Sequence, residues 1–312
     1  MWKADFVLRY QEPKHVCICG GGISLAKAVS TMKYLEMIGD VRIVGVSDCN
    51  AYYQEIYGWP VVQRKDLVAM ALDGVFVAAS KSLLSIVSDL KALGIPEEKI
   101  ITYDKLSIPY FTFHDMLEWN QRKMSIISCN CWGGITYHFL KSKFRSPFIN
   151  MWESEEDFIK ICCHLSEYLN ISIELDTVEF NDVGRFYYPV YRLGDVRLHM
   201  NHYPDPNVAQ EKWMKRVKRV NYNDLFVCIY TDRPEVAEEF EQVPYDNKVC
   251  FTSFPTDCPS AFSLDFYKNV SGLHEKKTWE IVNGAASGQF AVYNPWRFLM
   301  GKDKASAMLI HG

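Results

Sequence analysis

Ile126-Ile127-Ser128-Cys129-Asn130-Cys131-Trp132-Gly133-Gly134-Ile135 runs from an apolar pair through small polar residues to two glycines, after which Ile135, Phe139 and Leu140 resume at helical spacing. The pattern predicts a strand, a tight turn and a helix start. In an α/β sheet that junction stands at the carboxyl edge of a strand, where ligands bind and a helix N-terminus offers free N–H groups. The stretch says where something is bound, not what.

Upstream, the same junction occurs earlier in the chain. His15 to Cys19 reads as a buried strand, Gly20-Gly21-Gly22 as its turn, and Leu25, Val29 and Met32 as one face of the helix that follows. A second strand, Val41 to Val46, leads to Asp48. Val61-Val62 is a short apolar piece before a helical segment from Asp66, and Gly74 to Ala79 is a further strand. The next helix repeats Leu83, Ile86, Val87, Leu90 and Leu93, with Gly94 placed to end it and Ile100-Ile101 as another short strand. Strands alternating with helices at this rhythm predict a doubly wound, Rossmann-like parallel sheet over residues 1–105. Residues 106–122, aromatic around Pro109-Tyr110-Phe111, read as a connection. Residues 123–312 form a second α/β domain with a mixed sheet.

In that second domain a helix is expected near Glu155 to Leu169, with Ser154 and Asp157 as its capping box. Ile171 to Leu175 alternates like a half-buried strand, and Val190 to Met200 reads as a hairpin turned at Gly194-Asp195. Asp205-Pro206 opens a helix to Val220 with an apolar stripe of Ala209, Trp213, Val217 and Val220, and a basic one of Lys212, Lys215, Arg216 and Arg219. Leu225 to Tyr230 and Lys248 to Phe251 are strands. Phe254 to Gly312 is irregular, with weak helical signals near Thr278 to Val282 and around Trp296.

The bulk numbers set the outer bounds. At 312 residues, two domains are expected. With 48% hydrophobic and 23% charged residues the chain has the balance of a globular protein, and a net charge of −4 gives no general reason to bind nucleic acid or an acidic membrane surface. Ten cysteines without an apolar leader read as free thiols of a cytoplasmic protein. No apolar run approaches the roughly 20 residues a bilayer span needs, so any membrane association is expected to be peripheral.

Candidate chemistry gathers at the two glycine junctions. Gly20, Gly21 and Gly22 place backbone amides where a diphosphate can be cradled, with Asp48 positioned to accept from a ribose or base. Leu25 stands where the dinucleotide fingerprint has its third glycine. At the second junction Asn130, Trp132, Gly133 and Gly134 combine an amide, a flat apolar surface and backbone donors suited to a sugar or base. Arg216 and Arg219 offer guanidinium groups to a phosphate, and Asp232 and Arg233 follow a strand where an α/β site recruits a carboxylate and a cation. His202 is a polar candidate at a strand end, and with Asp232 it is the candidate catalytic pair. Each has a plainer alternative: a packed tryptophan, a solvated basic face, a capping aspartate or a solvated histidine. Cys129 and Cys131 read as core or near-core thiols. A nucleophilic role for Cys131 is a minor alternative, because no partner histidine can be assigned from sequence. His199 and His202 lack the helical spacing of a metal pair, and no metal is expected. A Walker loop, a serine-hydrolase elbow and any Asp-x-Asp are missing.

The run Ile127 to Gly134, the later Glu211-Lys212-Trp213 with Arg216, Arg219, Val220 and Asn221, and Asn223 to Val227 leading to Thr231-Asp232-Arg233 resemble an uncharacterised bacterial family labelled as exopolysaccharide biosynthesis proteins, over about residues 123–312. The first domain is similar to the nucleotide-sugar-binding N-terminal domain of bacterial sugar acyltransferases, through Gly20-Gly21-Gly22, Ile43 to Asp48 and Gly94-Ile95-Pro96, without the hexapeptide repeat of those enzymes. These resemblances imply a cell-surface polysaccharide biosynthesis protein that binds a nucleotide or nucleotide-sugar, with sugar transfer as one reading. A non-catalytic binding module of an assembly complex is the second, and an NAD(P)-dependent oxidoreductase the third.

Overall fold

The computed structural model describes residues 12–49, 52–108, 110–290 and 292–301. Pro109, within the expected connection, and residues 302–312, within the expected irregular tail, lie outside the described residues. The chain is an α/β protein of two units, residues 1–122 and 123–312.

In the first unit, β1 (Lys14–Cys19) is followed by α1 (Ile23–Met37), β2 (Val41–Ser47), a small hairpin of β3 (Glu55–Ile56) and β4 (Trp59–Pro60), β5 (Gly74–Val77), α2 (Leu83–Ala92), β6 (Ile100–Thr102) and α3 (Phe113–Arg122). The main sheet is parallel throughout, in the order β2-β1-β5-β6. Strand alternation explains how it is buried on both faces. Cys17, Cys19, Val75 and Val77 pack in one apolar cluster with Ile86 and Leu90 of α2. Phe76 points the other way and meets Phe113 edge-on at 5.9 Å. Because β2 and β5 lie on opposite sides of β1, the order reverses there, and the carboxyl ends of β1 and β5 form a topological switch point.

The segment expected as a connection is instead folded into this unit. Thr112 accepts from the Asp115 amide at 3.0 Å, which caps α3, and Phe113, Met116, Leu117 and Trp119 are buried. The buried Asp40 carboxylate takes the Phe113 and His114 amides at 2.7 and 3.3 Å. Val61-Val62 makes a bridge to Val46 rather than a strand. Its Val62 amide donates to the Val46 carbonyl at 3.0 Å.

In the second unit, β7 (Ser125–Ser128) and α4 (Trp132–Phe139) realise the opening stretch. The expected long helix splits into α5 (Glu155–Cys163) and α6 (Leu165–Tyr168), because the chain leaves helical geometry at His164 (φ −131°, ψ 36°). The Ser154 cap is present, accepting from Asp157 at 3.1 Å. Then come β8 (Glu174–Asn181), β9 (Phe186–Leu193), β10 (Val196–His199), α7 (Pro206–Val217), β11 (Leu225–Thr231), α8 (Pro234–Phe240), β12 (Lys248–Thr252), β13 (Ala261–Ser263), α9 (Thr278–Ala286) and α10 (Pro295–Leu299). Parallel strands pair as β13-β12-β11-β7, and the antiparallel β10-β9-β8 forms a separate sheet. The alternation expected from Ile171 begins only at Glu174.

Candidate functional site

Gly20 and Gly22 do different work in the first junction. Gly20 adopts φ +105°, and a Cβ there would stand 2.9 Å from the Ala78 carbonyl oxygen, so only glycine closes this turn without strain. Gly22 has φ −86° and open space where a Cβ would project. Asp48 is spent on the turn itself, since its Oδ2 accepts from the Gly21 amide at 2.5 Å. That engagement shifts its expected role from ribose or base contact to fixing the glycine loop.

Beside the turn lies a pocket of about 640 Å³, bordered by Gly20, Gly22, Arg64, Ser80, Lys81 and Ser82. It sits at the switch point, because Gly20 follows β1 and Ser80 to Ser82 follow β5. The N-caps of α1 and α2 are Gly22 and Ser82; neither makes a side-chain cap, and neither helix has an acidic residue in its first turn. Two helix ends thus bring partial positive charge to one pocket with no internal carboxylate in the first turn to absorb it. Of the acidic residues lining it, Asp89 accepts from Arg64 at 2.8 Å. A second pocket of about 520 Å³ shares Gly22 and Asp48 and is bordered by Tyr53, Ile56 and Tyr57 of the hairpin region. Arg64, Lys81 and Ser82 were not singled out from sequence. The strand-to-helix junction after β5 was the available signal, since a parallel neighbour of β1 must end at the same sheet edge.

At the second junction the residues expected to face a ligand are mostly structural. Trp132 is fully buried, stacks on Phe226 at 5.4 Å, and donates through Nε1 to the Tyr293 hydroxyl at 2.7 Å. It is a core residue, so the expected stacking surface is not there. Asn130 accepts from the Trp132 amide at 2.8 Å and Ser128 Oγ from the Gly133 amide at 3.0 Å, which satisfies two donors at the start of α4. Gly133 is closed in by Ser128 and Ile126, and Gly134 faces Ile149.

The basic stripe is dismantled in the same way. Arg216 is buried, donates to the Tyr203 hydroxyl at 2.6 Å, and lies 5.0 Å above the Phe144 ring. Arg219 donates to the Phe144 carbonyl at 3.3 Å. Arg233 binds Glu155 and Glu156 at 2.6 Å each, and Asp232 accepts from the Thr278 hydroxyl at 2.5 Å. His202 stands apart from this group, with its Nε2 3.7 Å from Cys131 Sγ.

Residues 102–296 match the family described as a domain of unknown function, DUF1919, a span running from the end of β6 through α3 to α10. The chain belongs to the DUF1919 family. An uncharacterized protein of Haemophilus influenzae is 36% identical to this DUF1919 protein over 136 residues, which is 42% of this chain. The matched stretch covers 63% of that relative's length.

Proposed function

We propose that the first unit of this DUF1919 protein binds a nucleotide, with a nucleotide-sugar as the ligand class, and that the chain acts as a transferase on that donor in cell-surface polysaccharide synthesis. The supporting observation is the pair of uncapped helix N-termini, Gly22 of α1 and Ser82 of α2, at one pocket on the switch point. A diphosphate matches that potential, and Lys81 and Arg64 add cationic donors. The second pocket, sharing Gly22 and edged by Tyr53 and Tyr57, gives the other end of such a ligand a surface on which to stack. The resemblance of the first unit to nucleotide-sugar-binding domains and of the second to exopolysaccharide biosynthesis proteins points the same way. The nicotinamide reading is weaker, because Leu25 at the third-glycine position is fully buried core.

Thermal unfolding with UDP-sugars, free nucleotides and NAD(P) tests the reading. A ligand at about 100 times its dissociation constant adds about 2.7 kcal/mol to the native state, a shift of several degrees. UDP-sugars are expected to give it and NAD(P) not. Gly22→Val is expected to leave the unliganded midpoint unchanged, because its side chain enters open space, and to abolish the ligand shift by filling that space. Lys81→Ala is expected to weaken binding about tenfold, by loss of a charge-assisted contact. No shift with any nucleotide, or a Gly22→Val protein that responds like the parent, would overturn the assignment. Incubation with the donors that bind, with and without glycan or lipid acceptors, then separates a transferase from a binding module by nucleotide release.

A further inference from the structure

The carboxyl edge of β7 in the second unit holds a group of side chains that the nucleotide reading does not use. Cys131 occupies the N-cap position of α4 and is half-buried. The solvent-facing His202 brings its Nε2 to 3.7 Å from Cys131 Sγ. A backbone bridge organises the surroundings: the Trp152 amide donates to the His199 carbonyl at 3.0 Å and the His199 amide to the Trp152 carbonyl at 2.9 Å. Glu153 follows Trp152 directly, and His202 lies three residues beyond His199.

Glu153 is 5% exposed, and neither of its carboxyl oxygens has a hydrogen-bond partner. Buried carboxyls without partners are rare in folded proteins and call for an explanation. Burial holds Glu153 protonated well above the ordinary carboxylate range. Burial raises the Cys131 thiol and lowers the His202 imidazole, so at neutral pH the resting pair is a thiol beside a neutral base. Among the described residues no group of three or more His, Cys, Asp or Glu side chains is arranged to hold a metal ion.

We propose that Cys131 and His202 are a nucleophile and general base for acyl transfer, accepting the acyl group of an ester or thioester onto Cys131. His202 Nε2 takes the thiol proton as Sγ bonds to the carbonyl carbon, whose oxygen becomes an oxyanion. Collapse of that intermediate breaks the bond to the alkoxide or thiolate leaving group, which departs with the proton returned by His202. S-acyl-Cys131 remains. An acceptor hydroxyl or water then gives its proton to His202, attacks the thioester carbonyl and regenerates the thiol, with no oxidant or reductant needed. This activity resides in the second unit and does not depend on a nucleotide being bound in the first.

The full chain carries its own control, because Cys49 is exposed while Cys131 is half-buried. Treat the protein with p-nitrophenyl acetate and follow acetylation of each cysteine by peptide mass spectrometry. Acetylation at Cys131 is expected to be at least about tenfold faster than at Cys49, and hydroxylamine at neutral pH should reverse it. His202→Gln should slow the reaction at Cys131 about 100-fold, the scale of general-base assistance. Labelling of Cys49 should not change, and His202→Asn serves as a second variant should the first fold poorly. Acetylation at Cys131 no faster than at Cys49, or a rate at Cys131 indifferent to His202, would overturn the proposal.

Discussion

Trp132→Ala is expected to lower the free energy of unfolding by about 3–5 kcal/mol, the usual range for emptying a buried aromatic site. The ring is fully buried against Phe226 and Phe251, and its indole N–H is tied to Tyr293, whose hydroxyl in turn donates to the Val282 carbonyl at 2.7 Å. Tyr293 also stacks on Phe251 at 5.3 Å, so the cavity would open inside an aromatic layer that joins α4, α9 and β12. Trp132→Phe keeps part of the apolar contact and loses the N–H bond together with the outer part of the indole, leaving a hydroxyl that still has Val282 as its acceptor. Its cost is expected to be about 1–3 kcal/mol, below that of the alanine variant. Urea unfolding of the three proteins measures both. A Trp132→Ala protein as stable as the parent would mean that the indole is not a core element and would return it to the list of ligand contacts.

The same residue shows where sequence reading stops. The strand, turn and helix of residues 126–135 were legible, because apolar runs and glycines fix local geometry. Which side of α4 carries Trp132 was not. It is decided by Phe226 and Tyr293, residues 94 and 161 positions away in the chain, and tertiary partners leave no local periodicity. The basic stripe misled for a related reason. Spacing gave Arg216 a polar face, yet the residue is buried, with its guanidinium over the Phe144 ring and donating to the Tyr203 hydroxyl. Residues 106–122 are a different case. Thr112 and Asp115 carry the spacing of a capping box, and Phe113, Met116 and Leu117 follow at helical intervals, so α3 was readable and was obscured by its aromatic flanks. Cys131 and His202 are 71 positions apart, a separation that leaves no local spacing by which to pair them.

Glu153→Leu is expected to stabilise the protein by about 1–3 kcal/mol at neutral pH, the cost of leaving a buried polar group without a partner. Both carboxyl oxygens of Glu153 lack hydrogen bonds, and a leucine of similar size has none to lose. The effect is pH-dependent, and its sign follows from the direction of the shift. Burial raises the folded-state pKa well above the ordinary value of 4.5. Below pH 4.5 the carboxyl is protonated in both the folded and unfolded states, and the protonated group's contribution is fully present. As pH rises the unfolded chain releases this proton first, and the contribution is lost progressively until the folded carboxyl ionises as well. The gap between Glu153→Leu and the parent should therefore widen from acid toward neutral pH. Asp40 in the first unit has the same sign, with its pKa pushed by burial from 3.8 up to about 6, but it is present in both proteins and cancels in the difference. Urea midpoints of the two proteins across this pH range measure the gap. Parallel curves would show that Glu153 is already ionised or partnered in the folded protein.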